Sequence, residues 1–345
     1  MAKADEQAEN AADHDCLSGG TALVTGGAGF IGGHLVAALA QRGCHVRSFD
    51  LAEETDGRGP QVERVRGDVR DPTSVDAAMK GVTAVFHLAA NAQLWARDKA
   101  GFDAVNHQGT VNVLRAASRA GVKRIVHTST EAVLVDRKGR HIVPQGDVHL
   151  AEMPGPYCRS KYRAEAAARA AAGEGLPVVI VNPTVPLGPG DRNMTPPTRM
   201  LSDFLAGRTQ GVFLDFAFNA VDARDAAQGH ILAAEKGRVG TGYVLGGRNL
   251  HMAEFLKTLE TVTGRRMPRR RIPGALALGV AAVSEFAADR ITRRPPSASL
   301  TGVRLAMRDM RFDDGPARRE LGYATRPLEE TLKDAVAWLR ARQED

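Results

Sequence analysis

The chain alternates short apolar runs with longer amphipathic ones. TALVT (21–25) is apolar and β-branched and ends in a glycine cluster. Phe30 to Gln41 follows with helical periodicity, and CHVRSFD (44–50) reads as a second strand, giving one strand–helix–strand unit. VERVRGD (62–68) and AVFHLAA (84–90) are further strands, with a helix from Thr73 to Lys80 between them. Residues 103–120 form a long helix, KRIVHTST (123–130) a strand, and Tyr157 to Ala172 an alanine-rich helix. LPVVIVNP (176–183) is a strand stopped by Pro183. Strands apolar on both faces, alternating with helices, predict a doubly wound α/β fold built on a parallel sheet.

Beyond Pro183 the pattern loosens. PTVPLGPGDRNMTPPTR (183–199) is rich in proline and glycine and reads as a loop forming one wall of a ligand cleft. A helix near 199–207, the strand-like GVFLDF (211–216), a helix near 225–236, GYVLGG (242–247) and a helix from His251 to Thr263 follow. The last helix runs from Leu328 to Arg342, with Leu328, Leu332, Ala335, Val336 and Leu339 on one face. There is no internal repeat.

A length of 345 residues suits about two domains, and 43% apolar with 25% charged residues excludes a disordered chain. Cys16, Cys44 and Cys158 lie too far apart for a disulfide scaffold or a zinc site, so no metal is expected. No apolar run is long enough to span a bilayer, and the N-terminus lacks a signal-peptide core, so a cytoplasmic protein is expected. The net charge of +6 sits in one place: residues 265–294 hold eight arginines against Glu285 and Asp289. Between the arginine clusters Leu276, Val280, Val283, Ala287 and Ile291 recur at helical spacing. Two readings stay open, a core-packed helix with solvated ends and an interfacial helix on an anionic membrane, at its inner face. No nucleic-acid motif accompanies the charge, and no nucleic acid partner is expected.

TGGAGFIGGH (25–34) links the first strand to the first helix, with Gly26, Gly29 and Gly32 spaced G-x-x-G-x-x-G. Gly26 permits the tight turn, Gly29 lets a pyrophosphate approach the backbone, and Gly32 lets helix and strand pack closely. Phe30 and Ile31 open the helix whose N–H groups then hold the phosphates. This is a Rossmann-type dinucleotide site without the Lys-Ser/Thr of an ATPase turn. Asp50 ends the second strand 24 residues after Gly26, placed to accept the ribose hydroxyls of NAD and to repel a 2′-phosphate. The next basic residue after it is Arg58, so NAD is expected over NADP. Asp68, followed by Val69, is placed to accept from the adenine amino group, the alternative being a solvated loop carboxylate. The expected organisation is a disordered leader over 1–18 and a dinucleotide-binding domain carrying the catalytic residues over 19–183. A smaller, mainly substrate-binding domain covers 184–345, with about 211–247 returning to the sheet.

Tyr157 and Lys161 stand four apart at the start of a helix and share a face. An ammonium beside a phenol draws its pKa down and makes it a usable acid–base. Thr130 ends KRIVHTST at the carboxyl edge of the sheet, where such folds bind ligands, and its hydroxyl can donate to a substrate oxygen. Thr128 is its rival. Glu131 is either an extra acid–base or a solvated carboxylate.

TGGAGFIG (25–32), HLAA (87–90), VNHQGTVNVLRAA (105–117), HTST (127–130), YCRSK (157–161) and NPTVPLGPGD (182–191) together resemble the extended short-chain dehydrogenase/reductase family of epimerase/dehydratase type. The tail ELGYATRPLEETLKDAVAWLR (320–340) also looks like that family's C-terminus. The resemblance implies that Thr130 polarises the reacting oxygen, Tyr157 moves the proton and Lys161 anchors the cofactor. It implies cofactor contacts from Leu88, Ala89, Ala90 and Pro183, and a structural role for Asn106. Within the family, QLWARD (93–98) and YVLGG (243–247) look most like the hopanoid-associated sugar epimerase, 3β-hydroxysteroid dehydrogenase-like and bacterial ceramide reductase branch. Sugar epimerases carry a diphosphate-binding arginine where this chain has FLDFAFNAVDARD (213–225), with Phe213, Phe216 and Phe218 and no arginine before Arg224. Those phenylalanines, with Gln93, Thr130 and Glu131, are the expected substrate contacts. The reading is an NAD(P)-dependent oxidoreductase acting on a secondary alcohol or ketone of a lipid-like substrate, as a monomer or homodimer. A nucleotide-sugar epimerase or dehydratase and a non-catalytic NAD-binding partner are the alternatives.

Overall fold

The computed structural model of the chain describes residues 20–52, 60–136, 138 and 150–344. The expected leader over 1–18 and Arg58 lie outside them. In chain order the strands of the first half are β1 (Thr21–Thr25), β2 (His45–Asp50), β3 (Val62–Arg66), β4 (Ala84–His87), β5 (Arg124–Thr128) and β6 (Val178–Pro183). Those of the second half are β7 (Val185–Leu187), β8 (Val212–Leu214), β9 (Ala217–Asp222), β10 (Gly242–Leu245), β11 (Arg248–His251) and β12 (Arg270–Ile272). The main helices are α1 (Phe30–Gln41), α2 (Pro72–Ala78), α3 (Gly109–Ala120), α4 (Pro156–Gly173) and α5 (Pro196–Leu205). They continue as α6 (Ala223–Lys236), α7 (Met252–Thr263), α8 (Gly274–Ala287), α9 (Leu300–Ala306) and α10 (Leu328–Glu344).

Seven strands pair in parallel in the order β10-β6-β5-β4-β1-β2-β3. Every side chain of β4 and β6 is buried, the signature of strands covered on both faces. Alternation within β1 splits the core: Ala22 and Val24 face α1 and α6, while Leu23 faces α2, α3 and α4. α1 lies against α6, whose Ala226, Ala227, Ala233 and Ala234 are buried. Asp222 caps α6 by accepting from Arg224 N, and Asp71 caps α2 by accepting from Thr73 N.

The long helix expected over 103–120 is interrupted. Residues Asp103–Gln108 form a π turn before α3, and Gly121 ends the helix in the left-handed region (φ +64°). The loop expected over 183–199 holds β7 and the start of α5. β7 is three residues long and owes its conformation to pairing with β9, so it leaves no period to read. Of residues 211–247, β10 joins the main sheet, whereas β9 lies between β11 and β7 in a separate sheet and β8 pairs with β12. The stripe read on the last helix (Leu328, Leu332, Ala335, Val336, Leu339) is fully buried in a second-half core. Ala132–Val135, Met153 and Cys158 of the first half join that core. Among the described residues no helix is long and apolar enough to cross a membrane.

Close packing of α1 onto β1 depends on two glycines. Gly26 has φ +76°, and a Cβ there would lie 2.7 Å from Ala89 N; a Cβ on Gly32 would overlap the Gly26 carbonyl oxygen. Gly32→Ala is therefore expected to lower stability by about 1–3 kcal/mol in urea unfolding. Gly279→Ala, in a helix position with open space around it, should raise stability by up to about 1 kcal/mol. Equal effects of the two substitutions would contradict this account.

Candidate active site

The glycine turn opens a helix N-terminus with no side-chain cap, so its first N–H groups are available to an anion. Gly29 and Gly32 leave the backbone bare where a Cβ would fill the cradle. Asp50 Oδ2 accepts from Ala28 N (3.1 Å) and Oδ1 from Ala52 N (3.0 Å), which fixes the carboxylate and leaves each oxygen a lone pair for a ribose hydroxyl. These residues fit a dinucleotide. Asp68 is tied to Arg70 by a bidentate ion pair, and the Arg70 hydrogen bond holds its carboxyl below the usual carboxylate range. The Val69 side chain is buried against Gly109.

β5, α4 and β6 bring the candidate residues together. Tyr157 and Lys161 project from the first turns of α4 and line a cleft with Thr130 and Glu131. The Lys161 ammonium is buried and donates to the Thr128 carbonyl at 2.6 Å. Burial lowers its pKa to about 8, against the opposing charge of Glu165. Glu165, one turn on, is bound by Arg169 (2.6 Å) and accepts from Asn182 Nδ2 (2.9 Å). The same Nδ2 donates to the Thr130 carbonyl at 3.1 Å, so strand ends and helix are bolted at one point. On the other side, Asn106 in the π turn accepts from Asn91 N (2.7 Å) and donates to Ser160 Oγ (2.9 Å).

Thr130 rather than Thr128 presents its hydroxyl to the cluster. Thr128 Oγ1 is engaged with His230 Nε2 at 2.9 Å. Thr130 Oγ1 donates to Glu131 Oε2 at 2.7 Å. Glu131 keeps part of its surface open to the cleft, yet burial of its carboxyl raises the pKa to about 7, which the Thr130 hydrogen bond moderates. The phenol of Tyr157 departs from the sequence expectation. Burial raises its pKa above the ordinary value and the Glu131 charge adds to that, while the Thr130 hydroxyl pulls it down. In the chain alone, desolvation is the largest influence on the phenol.

Three neutral histidines lie behind the site, with no signal in motif or spacing. His87 bridges Thr25 Oγ1 (2.7 Å) and Thr110 Oγ1 (2.9 Å), and burial, then the Lys161 charge, lowers its pKa to about 3. His127 stacks 5.6 Å from it and is pushed down by the same two causes. Burial lowers His230 to about 4, opposed by its bond to the Ala226 carbonyl.

The cleft has a volume of about 780 Å³ and runs from Gly26, Leu88, Ala90 and Pro183 past Thr130, Tyr157 and Lys161 to Met200, Phe216, Phe218, Leu305 and Met310. Gln93 lines it, as expected. Phe213 does not: it is buried in the second-half core, because β8 pairs with β12 and turns it inward. Arg224 is held by Asp222 and Asp334 at 2.7 Å each. Among the described residues lining the cleft, Lys161 is the one cation. α9, which sequence periodicity did not reveal, supplies Gly302, Val303, Leu305 and Ala306 to the wall. No cluster of described residues could hold a metal ion.

A parallel sheet with a glycine cradle at its carboxyl edge and a Thr–Tyr–Lys cluster beside it defines a Rossmann-type, nicotinamide-dependent oxidoreductase. Residues 22–246 match the NAD dependent epimerase/dehydratase family, and the chain belongs to it. NAD is its cofactor. The chain is similar to the sterol demethylase protein B of Methylococcus capsulatus, at 36% identity over 93% of this chain and 99% of that one. The crystal structure of gox2253 superposes with a TM-score of 0.79 at 33% identity, covering 93% of this chain and 98% of that one. DesIV, a dTDP-glucose 4,6-dehydratase of Streptomyces venezuelae solved with NAD and TYD, gives 0.74 at 26% identity, covering 94% and 98%.

The histidines set an acid limit. Each has a folded pKa below its unfolded value of about 6.5, so below that pH the unfolded chain binds protons the folded chain refuses, and stability falls with pH. Glu131 acts oppositely: its contribution is present at low pH and lost as pH rises from about 4.5 toward 7. Three groups against one leave a net loss of up to about 3 kcal/mol per pH unit between about pH 6.5 and 4.5. Urea midpoints across that range should show it, with a shallower slope in His230→Asn; an unchanged slope would refute the assignment.

Proposed function

We propose that the protein interconverts a secondary alcohol and a ketone, a 3-hydroxy/3-oxo group, on a lipid-like substrate such as a 3-oxo-ceramide, a sterol or a hopanoid. One observation carries the reading: the substrate end of the cleft is lined by Met200, Phe216, Phe218, Leu305 and Met310 and offers a diphosphate no arginine. The similarity to a protein named for sterol demethylation supports it. A nucleotide-sugar epimerase would need a cation where Phe216 and Phe218 stand, and a non-catalytic partner would have no use for the Thr130–Tyr157–Lys161 cluster. The protein works in the cytoplasm, with residues 265–294 in peripheral contact with the inner face of an anionic membrane.

Bound NAD supplies the hydride acceptor or donor at its nicotinamide C4. The glycine turn would hold its pyrophosphate through Gly26, Gly29, Phe30, Ile31 and Gly32, with Asp50 taking the ribose, Asp68 and Val69 the base, and Leu88, Ala89, Ala90 and Pro183 the nicotinamide side. During reduction the Tyr157 hydroxyl passes its proton to the substrate oxygen, and Lys161 stabilises the phenolate left behind. Thr130 has one hydroxyl proton and gives it to Glu131. Donating it to the substrate instead requires Glu131 to carry a proton of its own. A Glu131 pKa of about 7 makes that form available at neutral pH.

Tyr157→Phe should lower turnover at least about 100-fold while NADH affinity stays within about twofold, because only the proton relay is lost. Lys161→Ala should impair both. NADH should bind tighter than NADPH, and the reverse order would refute the role of Asp50. Lipid and sugar-nucleotide profiling of a deletion strain and a Tyr157→Phe strain identifies the substrate: one ketone or alcohol lipid should accumulate in both. Unchanged lipids beside an accumulating nucleotide sugar would replace this reading with the epimerase.

A further inference from the structure

α8 is built inside out. Its small residues Ala277 and Ala281, with Ala288 just beyond, are buried against the body, whereas Leu276, Val280, Val283, Phe286 and Ile291 are 50–72% exposed. A water-facing helix normally places its large apolar residues inward, and a cluster of this kind marks a surface that something covers. The carboxylates of the segment are already engaged by neighbouring donors. Asp289 accepts from Trp95 Nε1 (2.8 Å) and Lys99 Nζ (2.6 Å), and Glu285 Oε2 accepts from Leu300 N (2.8 Å). The arginines that flank the helix are exposed. Even those paired with Glu260 and Asp215, Arg269 and Arg271, keep 77% and 65% of their side-chain surface open. An apolar face between two cationic ends complements an anionic bilayer, with arginines at the headgroups and aliphatic side chains at the acyl boundary.

The same element adjoins the substrate cleft. α8 packs on α9, which forms part of the cleft wall. The connecting segment is tied back to α8 by Ser297 N donating to Ser284 Oγ (3.0 Å). Pro295, Pro296, Ser297 and Ser299 then line a second cavity of about 270 Å³, which shares Gln93, Leu94, Pro196 and Met200 with the main cleft.

We propose that the outward face of α8 seats the protein on an anionic bilayer, and that the cavity beside Pro295–Ser299 is the port through which a lipid passes from the membrane to Tyr157. This rests on the lipid reading of the cleft, but it is tested without turnover. The full-length protein is floated with vesicles of equal parts phosphatidylglycerol and phosphatidylcholine, and with phosphatidylcholine alone. It should rise with the first and not the second, and high salt should release it. Val283→Ser with Phe286→Ser should reduce the bound fraction about tenfold with NADH affinity unchanged. Arg293→Glu with Arg294→Glu should do the same by charge alone. Wild-type protein that stays unbound, or variants that bind as wild type does, would overturn the proposal. So would a wild-type dimer in light scattering that Val283→Ser with Phe286→Ser converts to monomer, since the face would then belong to a second copy of the chain. For the port, Ser299→Trp should slow turnover of vesicle-borne ketone lipid but not of the same lipid in detergent; equal slowing in both would overturn it. If wild-type protein binds vesicles yet turns over no lipid in either medium, the lipid reading fails while the membrane surface stands.

Discussion

A buried ammonium with a backbone carbonyl as its acceptor organises this molecule. Lys161 gives up hydration for the Thr128 oxygen at 2.6 Å, and that bond fixes how α4 meets the end of β5. Charge enclosed in protein imposes conditions on its neighbours. Burial first, and then this charge, keeps His87 and His127 neutral. It also calls for compensation, which Glu165 supplies one helical turn away, itself balanced by Arg169 and bonded to Asn182. Thr130 is held through its carbonyl by that same asparagine. The cluster is thus positioned by a chain of obligations that begins with one desolvated charge.

Much of the fold was legible because the first half obeys local rules. The glycine turn, the apolar strands and the alanine-rich α4 each announce their conformation through period and spacing, and Tyr157 and Lys161 follow from a four-residue offset. What stayed hidden depends on distant partners. β7 exists because β9 lies beside it. The π turn that aims Asn106 at Asn91 has no period of its own. Phe213 and Phe216 are three apart, yet only Phe216 reaches the cleft, since a strand pairing and not composition decides which way each faces. The raised pKa of Glu131 was unreadable because burial is a property of the assembled site. The basic segment left two readings open, and exposure of its large residues resolves which face points outward.

The two halves of the chain divide the work. The glycine turn and the Thr130–Tyr157–Lys161 cluster come from residues before β7, while the apolar end of the cleft comes from β8, β9 and α9. One tight meeting point lies beside the site: a Cβ on Gly155, the residue before α4, would overlap Thr301 Oγ1 of α9. Arg304 and Arg308 reinforce the join by donating to the Pro154, Val135 and Glu152 carbonyls.

That glycine–threonine contact has a consequence for how such a chain diversifies. Met200, Leu305 and Met310 line the cleft from other elements than the helix that carries Tyr157, so substrate preference could drift through them while the reaction is inherited. At Gly155 and Thr301 the two traits are linked. A side chain at Gly155 would have to displace Thr301 or the cap of the helix that carries Tyr157, which makes this pair a point where a change of diet meets a change of catalyst.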